Sequence, residues 1–169
     1  AISRGVAECV SFGLTEVHDM GVDLQGVELY RTLIAAGRFP FRVYVALDGS
    51  SRETWERFRT AGPLKEEYDG RLTVRALKLY ADGALGSRGA ALFEQYADDP
   101  VNRGLTLTSK PELLKAAAEA LESGFQLCTH AIGDSANNIV LDVYEEAFKS
   151  HQMKKKDVRF RVEHAQVLA

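Results

Sequence analysis

Two histidines in the last third of the chain each stand at the end of a short segment that reads as a β-strand. His130 ends the segment Phe125–His130, His164 ends Arg159–His164, and an amphipathic stretch from Asp134 to Lys149 separates them. Two strands joined by a helix form a parallel βαβ unit, so both imidazoles are expected at the carboxyl edge of one sheet. Neighbouring imidazoles at that edge indicate a metal site, although two hydrogen-bonded histidines at a sheet rim fit the pattern equally well.

A lysine interrupts an apolar segment of the chain. Lys78 lies within Val74–Tyr80 and shares a strand face with Val74 and Ala76. A buried lysine is costly unless it is paired or neutralised. Such a lysine could form a Schiff base with a carbonyl substrate, or it could take up carbon dioxide and become an anionic metal ligand. A rim lysine whose amine reaches solvent is the structural alternative.

Three further polar residues are expected at the same edge of the sheet. His18 ends the predicted strand Leu14–His18, where it could line a pocket, bind a substrate or have a purely structural role. Asp82 and Asp134 each begin a connection that directly follows a strand. Each of these carboxylates could cap a helix or orient a metal-binding histidine.

The connection Asp82–Gly104 is long and contains several glycines. Its segment Gly83–Gly89 lacks the glycine spacing of a dinucleotide or phosphate loop. The connection is expected to lie over the rim of the sheet and to shape a substrate pocket. Arg88 and Arg103 are its candidate substrate anchors, with ordinary loop packing as the alternative.

Composition argues against several classes of function. The chain has 169 residues, 46% of them hydrophobic, and a formal net charge of −3, which fits one globular domain without a large basic patch for nucleic acid. The basic run Lys154–Lys156 is expected to be a solvated turn. No apolar run reaches the roughly 18 residues of a membrane span. Cys9 and Cys128 lie far apart, so we expect reduced thiols and a cytoplasmic location.

Helix and strand signals alternate along the chain. Five strands that alternate with helices require a parallel sheet with flanking helices, either an open doubly wound sheet or part of a (β/α)8 TIM barrel. A complete barrel needs about 250 residues, so the chain corresponds to about five of the eight units. The expected helices are 2–12, 24–36, 52–60, 109–123 and 134–149, and the expected strands are 14–18, 41–47, 72–80, 125–130 and 159–164.

Several of these segments occur in an order that is typical of one family. Together they resemble amidohydrolase family 3, the YtcJ-like metal-dependent hydrolases, over nearly the whole chain. The segments that carry the resemblance are Thr15–Gly21, Lys78–Leu92, Asp98–Pro100, Asn102–Gly104, His130–Asp134 and Glu163–Gln166.

The resemblance implies an α/β segment of an amidohydrolase TIM barrel, residues 1–169, with strands 2 to 6 and their flanking helices. By analogy His130 and His164 bind one or two divalent metal ions, expected to be zinc, and a carboxylated Lys78 bridges two of them. His18 and Asp82 are the candidate catalytic residues. Strand 1 with its histidine pair, strands 7 and 8 with a catalytic aspartate, and a β-sandwich domain are not matched within this sequence.

The implied activity is hydrolysis of non-peptide C–N bonds of small molecules, in an amide, a formamide or a cyclic amide, by a metal-activated water. Two other functions fit the same residues: a Schiff-base lyase that uses Lys78, and a non-catalytic ligand-binding protein with a vestigial site. We expect this segment by itself to be inactive. Because an unclosed barrel exposes two sheet edges, we also expect homo-oligomers or edge-strand association.

Overall fold

The computed structural model describes residues 2–151 and 158–169, so the basic run Lys154–Lys156 lies outside the described residues. The chain divides into two compact units, Ala1–Leu77 and Lys78–Ala169. The division falls within one strand, β4, which covers Leu72–Tyr80 and gives residues to both units. Among the described residues, no helix has the length and apolar character needed to cross a bilayer.

In the first unit, helices alternate with neighbouring strands. β1 and β2 are parallel, β2 lies next to β4, and β3 is antiparallel to β4, with Leu64 opposite Val74. The short α4 contains left-handed residues and is a turn more than a regular helix. The elements before β4 are α1 (Ile2–Ser11), β1 (Glu16–Val22), α2 (Leu24–Ala35), β2 (Arg42–Asp48), α3 (Arg52–Ala61), β3 (Leu64–Glu66) and α4 (Glu67–Gly70).

The core of this unit forms between β2 and its helices. Val43, Val45 and Leu47 of β2 are buried, which fits a central strand covered on its faces. Helix α2 begins where the carboxylate of Asp23 accepts the Gly26 N–H at 2.8 Å, and its buried face includes Leu33. The sequence-based assignment of these two elements is therefore confirmed.

The first strand extends further than the sequence indicates. The sequence predicts that this strand ends at His18, but β1 continues to Val22. Gly21 has a φ of +97°, and the register with β2 shifts between Met20 and Val22, which is the signature of a bulge. Glycine therefore marks an irregularity inside the strand, and the predicted end of the strand at His18 is wrong.

In the second unit, β5 lies between the end of β4 and β6. β5 and β6 are parallel and are joined through α6, so the predicted βαβ unit is confirmed. The connection after β4 contains one short 3₁₀ turn, Leu85–Ser87. The remaining elements are α5 (Lys110–Ser123), β5 (Gln126–Ala131), α6 (Asp134–Ser150) and β6 (Arg161–His164).

Local signals account for the bounds of α5. Ser109 and Glu112 form a capping box at its start, and Pro111 lies in the first turn. Gly124 ends the helix with a φ of +79°, a left-handed conformation that glycine adopts at low cost. The buried face of the helix, which includes Leu113, packs with α6 and β5.

The two faces of β5 have different environments. Thr129 accepts a hydrogen bond from the Tyr144 hydroxyl of α6 at 2.7 Å, so this side of the strand faces the helix. Because side chains alternate along a strand, Cys128 and His130 lie on the opposite face. That face carries the candidate site.

Candidate active site

The structure brings together the three residues that sequence patterns single out most strongly. The His130 and His164 rings lie 4.6 Å apart between centroids and are nearly perpendicular, at 72°. Tyr80 connects them to the lysine, since its ring centroid is 5.5 Å from that of His130 and 3.6 Å from Lys78 Nζ. Lys78, Tyr80, His130 and His164 therefore form one continuous cluster in the second unit.

Lys78 is buried, with 3% of its surface exposed. Its Nζ donates a hydrogen bond to the Leu79 carbonyl oxygen at 2.9 Å and faces the Tyr80 ring. Burial lowers the pKa of the ammonium from 10.5 to about 8, and the negative charge of Glu163 partly opposes this shift. An appreciable free-amine fraction near neutral pH is what both a Schiff base and a carbamate require.

The lowered pKa of Lys78 predicts a pH-dependent stability difference in the metal-free protein. The pKa of Lys78 is about 8 in the folded protein and 10.5 in the unfolded chain, so a protonated Lys78 destabilises the folded state. This destabilisation is complete below about pH 8 and disappears as the pH rises towards 10.5. We expect Lys78→Met to stabilise the protein by about 2 kcal/mol near pH 7, which allows for solvent screening of the amine, and by under about 1 kcal/mol near pH 10. Urea unfolding across this range measures the difference; a pH-independent gap would contradict the prediction.

The Nε2 atom of His130 hydrogen-bonds to one oxygen atom and lies near a second. Its Nε2 lies 3.3 Å from the Gly83 carbonyl oxygen and 3.4 Å from Oδ1 of Asp82. Burial, with the positive charges of Lys78 and His164, lowers the pKa of its imidazole, which favours the neutral ring. A neutral ring with its proton on Nε2 keeps a lone pair on Nδ1, the form in which imidazole binds a metal ion.

The side chain of His164 points towards the cluster, although the alternation of residues along its strand in the observed register predicts the opposite face. The sequence pattern places His164 on one face with Phe160 and Val162, and that face towards the site. The register instead pairs Glu163 with His130, and Phe160 packs on the aromatic residues of α6. The predicted face is therefore wrong. His164 has a φ of +77° at the end of β6, and this left-handed turn lets its ring approach His130.

Asp82 has the most enclosed carboxylate of the site and is 0% exposed. Its Oδ2 accepts the N–H groups of Ala91 and Gly133 at 2.9 and 2.8 Å. Its Oδ1 accepts the Ile132 N–H at 2.9 Å. The side chain thus joins the connection after β4 to the turn between β5 and α6.

Asp134 also binds this connection, but it is not the helix cap that its position suggests. Its Oδ1 accepts the Phe93 N–H at 2.9 Å, and the N-cap residue of α6 is Gly133. Asp134 is the first residue of the helix, where a negative charge interacts favourably with the helix dipole.

His18 does not stand at the carboxyl end of its strand. It is the third residue of the seven-residue β1, pairs with Tyr44 in the register and stacks on that ring at 4.9 Å. Its Nε2 lies 3.5 Å from Oε1 of Glu16. The expectation that strand 1 of this chain ends at His18 is wrong because the strand continues through the bulge; a catalytic role for His18 stays a prediction.

The family assignment rests on the whole chain and not on these residues alone. A family model described as "Amidohydrolase family" matches residues 1–169. The chain belongs to the amidohydrolase family. The resemblance found in its sequence motifs is thereby confirmed.

Individual amidohydrolase-family relatives and solved structures agree with this result. The protein YtcJ of Bacillus subtilis (strain 168) is 32% identical over 174 residues, covering 99% of this chain and 31% of its own length. The N-substituted formamide deformylase of Arthrobacter pascens is 31% identical over 159 residues, covering 92% and 28%. An uncharacterized metal-dependent hydrolase from Pyrococcus horikoshii OT3 is 27% identical, with a TM-score of 0.83 over 99% of this chain and 32% of that one.

The structural match confirms the fold class, which is α/β with the parallel strands and flanking helices of a partial TIM barrel. The chain spans about a third of the length of the family members it matches. Within residues 2–151 and 158–169, no three histidine, cysteine, aspartate or glutamate side chains cluster in a way that could hold a metal ion.

Sequence reasoning about this amidohydrolase-family chain overlooked three residues near the site. Tyr80 shares the strand face of Lys78 by the period of two, and that signal could have found it. Arg161 and Glu163 form an ion pair, with Arg161 Nε 2.8 Å from Oε1 of Glu163. The register places them opposite Cys128 and His130, information that only the strand pairing supplies.

The two candidate substrate anchors have different surroundings. The guanidinium of Arg88 binds the Asp98 carboxylate through two contacts, at 2.8 and 3.1 Å. Arg103 is exposed, and its carbonyl oxygen accepts the Leu92 N–H at 2.8 Å. Arg88 therefore organises its own connection, and substrate binding by either arginine stays a prediction.

The cysteines of this family member should differ sharply in reactivity. Cys128 is 0% exposed, and burial raises the pKa of its thiol to about 12, whereas Cys9 is half-buried. Since the thiolate is the reactive form, we expect an aromatic disulfide reagent to modify Cys128 about 100-fold more slowly than Cys9. Mass spectrometry of peptides from briefly labelled native protein measures both rates; equal labelling before unfolding would contradict the burial of Cys128.

Proposed function

We propose that this chain supplies part of a divalent-metal centre that hydrolyses C–N bonds in small amides, formamides or cyclic amides. The observation that carries the proposal is the close pair of His130 and His164 rings beside the buried Lys78. The names of two similar proteins, a formamide deformylase and a metal-dependent hydrolase, support the same class of reaction.

The donor chemistry of the cluster fits such an ion. Two imidazoles, one of them kept neutral by its surroundings, are good ligands for zinc, and a carboxylated Lys78 would add an anionic oxygen. A bound divalent ion supplies Lewis acidity that polarises a carbonyl group and acidifies water. One or two zinc ions are our proposed cofactor, with further ligands outside the described residues.

The chain's own residues prepare this chemistry in three ways. The Gly83 carbonyl and Asp82 orient His130, and Tyr80 covers the amine of Lys78. Asp82 joins the connection after β4 to the turn that follows His130. These groups hold donors in position before substrate binds, which reduces the reorganisation that the reaction requires.

The test is a metal analysis of the full-length protein followed by a screen of N-acyl and N-formyl compounds with and without chelator. We expect near-stoichiometric divalent metal and hydrolysis that a chelator abolishes and added zinc restores. Hydrolysis that persists in thoroughly metal-free protein would overturn the proposal. Absence of hydrolysis together with unchanged ligand binding would favour a non-catalytic binding protein.

Lys78 supports a second candidate function, a Schiff-base lyase. The specific observation is its burial and the lowered pKa of its amine, which is the form a carbonyl substrate needs. Borohydride reduction in the presence of substrate would then attach the substrate covalently to Lys78. Activity that depends on metal and yields no such adduct favours the hydrolase.

We also propose that the segment alone is inactive and that its parent is cytoplasmic. The incomplete ligand set among the described residues supports the first statement, and the unpaired Cys9 and Cys128 support the second. Among the described residues, β1 pairs only with β2 and β6 only with β5, which leaves each strand an open edge for association.

A further inference from the structure

The carboxylate of Asp82 accepts hydrogen bonds from two backbone segments that are distant in sequence. It accepts one N–H from the connection after β4, at Ala91, and two from the turn after β5, at Ile132 and Gly133. Three charge-assisted hydrogen bonds to a fully buried carboxylate fix the side chain in one orientation. Among the described residues, no backbone carbonyl oxygen accepts any of these three N–H groups.

The turn after β5 approaches the backbone of Ala91 closely because residue 133 is a glycine. A Cβ at Gly133 would lie 1.9 Å from the Ala91 carbonyl oxygen. The same carbonyl accepts the Ala136 N–H at 3.3 Å, at the start of α6. The connection therefore packs directly against the turn that follows His130, and Asp82 lies where the two segments meet.

One nitrogen of His130 faces both the Gly83 carbonyl, its hydrogen-bond partner, and the negative charge of Asp82. Oδ1 of Asp82 lies 3.4 Å and the Gly83 carbonyl oxygen 3.3 Å from Nε2. Neither oxygen can donate a hydrogen bond, so the arrangement is favourable only when Nε2 carries the ring proton. The lone pair then remains on Nδ1.

We propose that Asp82 is a positioning residue, whose charge favours the Nε2–H tautomer of His130 and whose hydrogen bonds hold the adjoining connection in place. The tautomer follows from the geometry alone; its value for metal binding rests on the proposed function. Asp82 does not act as the proton acceptor for substrate, because its oxygens are buried and already accept three N–H groups.

Asp82→Asn tests the proposal because an amide has only one acceptor oxygen. That oxygen is needed where two N–H groups converge, at the Oδ2 position, so the amide NH₂ takes the Oδ1 position beside His130. An NH₂ donor there should raise the Nδ1–H fraction of His130, although the Gly83 carbonyl still favours Nε2–H. Asp134→Asn is the matched control, since Asp134 binds the same connection through Phe93 instead.

Long-range ¹⁵N spectra of the full-length, metal-free protein report the tautomer of His130 directly. We expect Nε2–H in the wild type and in Asp134→Asn, and a measurably larger Nδ1–H fraction in Asp82→Asn. Zinc affinity, measured by competition with a coloured chelator, should fall about 10- to 100-fold in Asp82→Asn and change little in the control.

The outcomes separate this proposal from the proposed function. A wild-type His130 with its proton on Nδ1 would overturn the positioning role, even if Asp82→Asn does not fold. An unchanged tautomer in a folded Asp82→Asn would overturn it as well. The expected tautomers in a protein that binds no metal and hydrolyses nothing would support the positioning of His130 and refute the hydrolase.

Discussion

Replacing His130 with alanine in the full-length protein is expected to remove most of the bound metal and nearly all hydrolysis. His130 is 4.6 Å from His164 between ring centroids and is oriented by Asp82 and Gly83, so its loss removes the best-positioned donor of the site. If the ion supplies about 4 kcal/mol of transition-state stabilisation, kcat/KM should fall by a factor of about 10³. Elemental analysis and steady-state kinetics measure the two effects.

His151→Ala is the matched control for this substitution. His151 follows α6, where its Nδ1 lies 3.0 Å from the Ala147 carbonyl oxygen, in contact with a helix end and not with the cluster. This variant should keep its metal and its activity within about twofold, because surface substitutions away from a site have small effects. A His130→Ala protein with normal metal content and activity would exclude His130 as a ligand.

The second large effect is expected for stability, when Gly133 is replaced with alanine. The added Cβ would meet three backbone atoms of Ala91: the oxygen at 1.9 Å, the carbon at 2.5 Å and the nitrogen at 2.8 Å. Backbone atoms cannot rotate away, so the connection must move and the hydrogen bonds to Asp82 must lengthen. We expect a loss of about 3 kcal/mol or more in the free energy of unfolding.

Gly86→Ala is the control for that prediction, because it changes the same residue type in the same connection. A Cβ at Gly86 would have no heavy atom within 4 Å, and its φ lies outside the left-handed region. We expect a change within about 0.5 kcal/mol. Urea unfolding of the two variants compares them, and equal stabilities would show that the connection does not pack on the turn at Gly133.

Much of the fold could be predicted from local sequence signals. The capping box at Ser109 and the left-handed Gly124 bound α5 where the sequence indicates. The apolar alternation in β2 and the amphipathic pattern of α6 identify both elements correctly. These features depend on interactions within one turn or one strand, so a single sequence contains the information for them.

Other features escaped prediction because they depend on pairing between segments. Gly21 reads as a turn signal, yet its pairing partner β2 continues past it and turns it into a bulge. The short β3 has a weak pattern of its own and exists through its pairing with β4. Strand alternation also misplaced His164, since a backbone turn at the strand end changed the direction of its side chain.

The candidate site divides in the same way. Residue type and position near the end of a predicted strand sufficed to select Lys78, His130 and His164, because parallel strands bring their carboxyl ends to one edge of a sheet. The sequence by itself thus determined most of the elements and the residue types of the candidate site. Only the tertiary structure decided that Asp82 orients His130, that Tyr80 covers Lys78 and that Glu163 faces the site. Those contacts join residues far apart in the chain, and their geometry depends on register and backbone approach, which no local pattern records.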